Sequence, residues 1–249
     1  MRLKLIACEV MYRELCHVVA SSPNTVDAQF VPKGLHDIGA APMSERIQAL
    51  VDTVDAARYE AVLLGYALCN NGLAGLTARD VPLVLPRGHD CITLFMGSRA
   101  RYARYFHENP GVYFETTGWS ERGRDAGELT QLSIQRRTGM DSTYEELARK
   151  YGEDNARYLY ETLCDTTRNY RQYTYIAMGV GPEAQIEARV RQEAAERGWK
   201  FERMEGDLSL IRRLVDGPWD ARDFLVVPPG SRIAASYGEE IVAAEENGT

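Results

Sequence analysis

The chain has 249 residues, of which 45% are hydrophobic and 26% charged. That is the balance of a folded globular protein, and it excludes small disulfide scaffolds, fibres and largely disordered chains. Its 29 basic and 36 acidic side chains give a formal charge of -7, the wrong sign for a protein that holds phosphate backbones, so nucleic acid is not an expected partner.

Leu3 to Ala7 reads as a buried strand, and Val10 to Val19 then carries apolar residues at helical spacing. A second extended run, Val26 to Val31, ends at Pro32-Lys33-Gly34. Pro42 and Ser44 open an amphipathic helix containing Ile47, Leu50, Val51 and Val54, and a third strand follows at Ala61 to Leu64. This β-α-β-α-β series predicts a parallel sheet with right-handed crossovers. Pro82 to Leu85 is a fourth expected strand, Asp90 to Tyr105 a helix, and Gly111 to Thr116 a fifth, short strand. Glu121 to Gly139 is polar and rich in Gly and Arg, and two helical stretches follow, from Ser142 to Tyr151 and from Asp154 to about Thr166. The pattern then restarts: strand Tyr173 to Met178, helix Pro182 to Arg197, strand Lys200 to Met204, helix Asp207 to Val215, strand Phe224 to Val227.

The expected fold is therefore α/β, with Rossmann-like parallel sheets in two β-α-β-α-β lobes facing a cleft. The boundaries are an N-terminal lobe over 1–120, a helical connector or lid over 121–170, a C-terminal lobe over 171–237 and a flexible tail over 238–249. The longest apolar run, Ala61 to Cys69, is broken by Gly65 and Tyr66 and falls short of the roughly 20 residues of a membrane span. Glu9, Arg13 and Glu14 cut the first apolar stretch before it resembles a signal peptide. A cytoplasmic location follows, in which five irregularly spaced cysteines read as thiols, ligands or nucleophiles rather than bridges.

Ligands of open α/β sheets collect beyond the carboxyl ends of the strands. Three cysteines fall there: Cys8 after the first strand, Cys69 after the third, and Cys91 after the fourth. Each also precedes a plausible helix start, which favours the thiolate. Two thiolates about 4 Å apart repel by roughly 4 kcal/mol at an effective dielectric near 20. Three that converge therefore require a cation. Three sulfurs leave one coordination position open, which suits a catalytic zinc or a four-iron cluster. Plain packing is the competing explanation for any one of them, since free cysteine behaves as a small buried hydrophobe. Cys16 and Cys164 lie inside helical stretches and are assigned to the core.

His36-Asp37 follows the second strand, and His89-Asp90 adjoins Cys91. His36, His89 and Asp90 are thus candidates for a fourth ligand or for acid-base work, with ordinary loop roles as the alternative. Asn70-Asn71-Gly72 is turn chemistry that tolerates left-handed backbone and could aim amides at a bound cofactor.

These same residues resemble a prokaryotic family catalogued as domain of unknown function 1638. The resemblance runs from the first strand almost to Ser231. It is carried by Ala7-Cys8-Glu9, by Gly34-Leu35-His36-Asp37, by Gly65-Tyr66-Ala67-Leu68-Cys69-Asn70-Asn71-Gly72, and by Arg87-Gly88-His89-Asp90-Cys91 continuing through Ile92-Thr93-Leu94-Phe95-Met96-Gly97-Ser98. The family's cysteines correspond to Cys8, Cys69 and Cys91, and members often have Gly where this chain has Ala67. By association, the resemblance implies a helper in corrinoid-dependent methyl transfer, such as corrinoid reactivation or methionine synthesis. The implied partners are a corrinoid protein, a methyltransferase or a reductive activator. A metal-free adaptor that binds a corrinoid or a partner surface is the alternative expectation. An enzyme built on one low-pKa cysteine is the third.

Overall fold

The computed structural model describes residues 1–122 and 127–246. Apolar sequence makes the central strands: β3 (Ala61–Gly65) and β4 (Leu83–Pro86) are buried throughout, and β1 (Arg2–Cys8) buries Leu3, Leu5, Ile6 and Ala7. Such strands are stable only with both sheet faces covered, the condition of a parallel sheet flanked by helices. They pair in the order β2-β1-β3-β4, with β2 (Thr25–Val31) at the edge, all parallel. The half-exposed side chains of β2 fit its edge position. Helices α1 (Tyr12–Val19) and α2 (Ala40–Val51) are the crossovers, each presenting an apolar stripe inward.

The expected helix over Asp90 to Tyr105 is two helices, α3 (Ile92–Phe95) and α4 (Arg99–Glu108). Gly97 separates them with φ of +70°, and a Cβ there would lie 2.6 Å from the Asp207 carboxyl carbon. Ser98 caps α4 by accepting the Arg101 N–H. Helices α5 (Thr117–Arg122), α6 (Leu129–Leu132), α7 (Ile134–Thr138), α8 (Tyr144–Tyr151) and α9 (Glu153–Leu159) form the connector, with a π turn at Tyr160–Cys164. Part of the expected connector, 123–126, and the tail end, 247–249, lie outside the described residues.

The second sheet contains β5 (Val112–Glu115), β6 (Gln172–Ala177) and β7 (Lys200–Glu205), all parallel, with α10 (Glu183–Glu196) as the β6–β7 crossover. After α11 (Ser209–Asp216) comes β8 (Phe224–Val227), which adds antiparallel to β4. The α/β class and the parallel sheets are as expected, but the two series exchange strands. β5 leaves the first series to pair with β6, and β8 leaves the second to close the edge of the first sheet. The larger core also takes Ile176, Met178 and Met204 from the second series.

The tail expected to fray from 238 contains instead β10 (Val242–Glu246), paired antiparallel with β9 (Ser231–Ala235). Arg87, at the end of β4 and only 8% exposed, holds this hairpin down. Its guanidinium donates to the carbonyls of Ala221, Phe224, Glu240 and Val242 and pairs with the Glu240 carboxylate at 2.8 Å. Nε and one Nη thus reach four backbone carbonyls, and together with the burial of Ile233 and Val242 they explain how a polar segment stays folded. Among the described residues no helix is long and apolar enough to cross a membrane.

Glu14 in α1 is fully buried, and neither carboxylate oxygen has a hydrogen-bond partner among the described residues. Burial raises its pKa from 4.5 to about 7, against a smaller opposing effect of Arg13. A carboxyl whose folded pKa lies above its unfolded value binds more protons when folded, so stability falls as pH rises from about 4.5 through about 7 and is level above that. Glu14→Gln should remove this slope and stabilise the protein above pH 7, by on the order of 2–3 kcal/mol. Urea unfolding at pH 5 and pH 8 measures it; equal pH dependence in both proteins contradicts the assignment.

Candidate functional site

Four strand ends meet at the carboxyl edge of the first sheet, and backbone bonds tie them together in pairs. Cys8 ends β1, opposite Val31 at the end of β2. Beyond them the chain turns tightly, at Glu9–Met11 after β1 and at Lys33–Ile38 after β2. The Glu9 carboxylate accepts the Lys33 N–H at 2.8 Å and locks the two turns together. On the other side, the β3–β4 pairing continues past both strands: Leu68 N–H donates to Gly88 at 2.9 Å, and Cys69 N–H to His89 at 3.0 Å. The peptide that carries Cys69 is therefore fixed to the loop that carries Cys91.

Cys69, Asn70 and Asn71 all have left-handed backbone, with φ of 47°, 55° and 62°. Asn tolerates this conformation, whereas for Cys it costs roughly 1–2 kcal/mol. The run reverses the chain so that Gly72 N–H reaches the Cys69 carbonyl. Gly72 packs against the Met43 thioether, which a Cβ there would displace, and lies close to the Cys69 carbonyl. Strained backbone held by surrounding structure is characteristic of functional positions.

Cys8, Cys69 and Cys91 line one narrow cavity of about 20 Å³, together with His36 and Tyr66. Val10, Met11, Pro32 and Leu35 complete apolar walls. Lys33 and Trp119 form the remaining side, the Lys33 ammonium 5.1 Å from the indole centroid. The space holds about one water or one ion. Among the described residues no group of three or more His, Cys, Asp or Glu side chains already stands as a metal-ligand set, so capture of an ion requires the lining side chains to turn inward.

The electrostatics oppose ionisation of bare thiols. Burial pushes Cys8 from 9.0 to about 11 and Cys69 from 9.0 to about 12, and the charge of Cys8 adds to the rise at Cys69. Cys91 keeps some surface, yet burial followed by the charges of Cys69, Asp90 and Cys8 drives its thiol up as well. The helix-start argument for stable thiolates therefore fails here. A helix terminus contributes only ~0.3–1 kcal/mol, and the turns after Cys8 and Cys91 span three and four residues. Desolvation is the larger effect, and a low-pKa nucleophile is not what this cavity builds.

Burial holds the His36 pKa down, ahead of the opposing charge of Asp37. Its Nδ1 lies 3.9 Å from the Asp37 carboxylate, which leaves Nε2 as the available donor. Asp37 in turn pairs with Lys33 at 3.1 Å. The Tyr66 hydroxyl is buried without a hydrogen-bond partner among the described residues. Burial and the nearby sulfurs keep that phenol neutral, its pKa well above the ordinary range.

The other expected site residues lie apart. His89 is exposed and lines a neighbouring groove rather than the thiol cavity. Asp90 has both carboxylate oxygens engaged: one accepts the Ile92 N–H at 3.0 Å, the other the Tyr102 hydroxyl at 2.5 Å. It shapes the Cys91 loop. Asn70 and Asn71 are exposed, and Gly72 is packed against Met43. Cys16 and Cys164, assigned to the core by sequence, are only partly buried and belong to neither core cluster. Sequence reasoning did not single out Tyr66, Lys33 or Trp119. Tyr66 follows the last residue of β3, and that position was the available signal.

The profile of the family described as Protein of unknown function (DUF1638) matches residues 30–215. The chain belongs to this family. The matched stretch contains His36, Cys69 and Cys91, whereas β1 and Cys8 precede it, so it is shorter than the resemblance read from the first strand to Ser231. No curated protein and no solved structure matches the chain.

The raised thiol pKa values carry a direct expectation. In chelator-treated protein at pH 7.5, iodoacetamide should label the partly exposed Cys164 first and Cys69 last, followed by peptide mass mapping. Labelling of Cys69 at the rate of Cys164 contradicts the buried, neutral site.

Proposed function

We propose that this protein is a metal-dependent component of a methyl-transfer system, in which Cys8, Cys69 and Cys91 hold one thiophilic metal ion with His36 as the fourth donor. The observation that carries this reading is the convergence of thiols from three separate strand ends, with an imidazole, on one small, largely apolar cavity. Thiolate and imidazole together are the donor set of zinc. The unpartnered Tyr66 hydroxyl adds support, because a buried donor left unsatisfied costs about 1–3 kcal/mol, and a thiolate held deprotonated by the ion would accept from it.

The size of the space favours a single ion of the zinc type. A four-iron cluster on the same cysteines is the second form of the proposal and requires the walls to widen. The corrinoid setting, with a corrinoid protein, methyltransferase or reductive activator as partner, rests on the family resemblance. A cytoplasmic location belongs to the same proposal.

When bound there, a zinc-type ion supplies Lewis acidity that lowers the pKa of a coordinated thiol or water. The protein's own residues do the rest. The three cysteines give up protons that the bare cavity retains. Lys33 offsets part of the negative charge around Cys8. His36, held neutral by burial, offers a lone pair or yields its position to a substrate. The Tyr66 hydroxyl would donate a hydrogen bond to a metal-bound sulfur while keeping its proton, and Val10, Met11 and Trp119 exclude water.

Metal analysis and chelator competition on protein purified without oxygen test the reading. One ion per chain is expected. Cys8→Ser, Cys69→Ser and Cys91→Ser should each weaken binding beyond the roughly 10–100-fold that changes around a ligand bring, while Cys16→Ser and Cys164→Ser leave it intact. Equal behaviour of all five variants contradicts the site, and metal-free protein that still binds a corrinoid or a partner supports the adaptor instead. Tyr66→Phe separates ligand binding from packing. Thermal unfolding should show the metal-free variant as stable as the parent or more so, by about 1 kcal/mol, and chelator competition should show metal affinity about tenfold lower. Loss of stability without change in affinity would assign Tyr66 to packing alone.

A further inference from the structure

On the far side of the Cys91 loop lies an open groove of about 780 Å³, within the range of small-molecule sites. One wall is α4, which contributes Tyr102 and Phe106. Their rings are 5.8 Å apart and tilted, and Phe106 is 55% exposed, an unusual condition for a phenylalanine on a helix with an adjoining groove. At the end of this wall stand Ser98, Arg99 and Ala100, the cap and first residues of α4, whose initial N–H groups have no partner within the helix. Thr93 also lines the groove; it is 1% exposed and its hydroxyl has no partner among the described residues.

Arg222 faces the same space from the loop before β8 and forms no ion pair among the described residues. Arg99 donates once, to the Glu239 carbonyl at 2.7 Å, which leaves most of its guanidinium donors unused. Two guanidinium groups, a helix start and a buried hydroxyl thus bring anion-binding chemistry to one groove. The exposed ring of Phe106 supplies a flat apolar face for stacking. Glu239 and Asp223 border the groove as well. Asp223 pairs with Arg213 at 2.8 Å, which it shares with Asp220 at 3.0 Å, and the Glu239 carboxylate can accept from hydroxyl or amino groups.

We propose that this groove binds an aromatic phosphate ester of mononucleotide size, its phosphate on Arg99 and Arg222 and its ring on Phe106. No thiol lines the groove, so the site stands apart from the metal reading.

Saturation-transfer NMR and calorimetry with the common ribonucleoside monophosphates test it, with the corresponding nucleosides and inorganic phosphate as controls. At least one nucleotide should bind with submillimolar affinity, and its nucleoside at least about tenfold more weakly, as expected on losing charge-assisted hydrogen bonds. The double variant Arg99→Ala/Arg222→Ala should abolish the preference for nucleotide over nucleoside, and Phe106→Ala should weaken both. These positions are at the surface or half-exposed, and an unchanged melting temperature confirms folding. Binding should persist in Cys8→Ser, so failure of the metal centre and failure of the groove are distinguishable. Absence of binding by every nucleotide, or binding indifferent to these substitutions, overturns the proposal.

Discussion

Parallel strand pairing is the constraint from which the site follows. Each parallel strand ends at the same edge of the sheet as its neighbours, so residues far apart in the chain arrive together without any local motif. Cys8 comes from β1, His36 from the turn after β2, Cys69 from beyond β3 and Cys91 from beyond β4. The continuation of the β3–β4 pairing through Leu68 and Cys69 carries that constraint out to the sulfur-bearing peptides themselves. The Glu9–Lys33 bond does the same for the β1 and β2 ends.

The same geometry decides the chemistry of the thiols. Covering both sheet faces makes the edge cavity apolar, and an apolar cavity penalises charge. Bare Cys8, Cys69 and Cys91 are thereby neutral at physiological pH. A site that suppresses lone thiolates is a poor home for a cysteine nucleophile. It suits a cation that supplies the missing positive charge. The left-handed backbone at Cys69, the orphaned Tyr66 hydroxyl and the half-buried, lowered-pKa His36 are three separate costs converging on one small volume. Residues that work against local stability in concert are characteristic of functional sites.

Much of the architecture was legible because the buried strands advertise themselves. Runs such as Ala61 to Leu64 and Leu83 to Leu85 have no polar alternation, and the intervening helices show clear apolar stripes. Strand partnership was not legible. Nothing local in Val112–Glu115 or Phe224–Val227 tells which sheet it will join, since that depends on the edges left unpaired elsewhere. The C-terminal hairpin was hidden for a similar reason: its polar composition reads as a tail, and what holds it is remote in sequence, namely Arg87, backbone bonds to residues 75–78 and the burial of Ile233 and Val242 in the main core. At the site, the cysteines could be placed from strand ends alone. Whether His36 or His89 shared their cavity depended on how each loop turned, and the Asp90–Tyr102 and Asp90–Ile92 bonds shape the Cys91 loop in such a way that His89 faces outward.

The central claim is that remote sulfurs share one ion. X-ray absorption of zinc-loaded protein tests it most directly, because the first shell reports donor type without reference to activity. Three sulfur neighbours near ~2.3 Å and one nitrogen near ~2.0–2.1 Å are the expected result. A shell dominated by oxygen and nitrogen, or one containing a single sulfur, would contradict it.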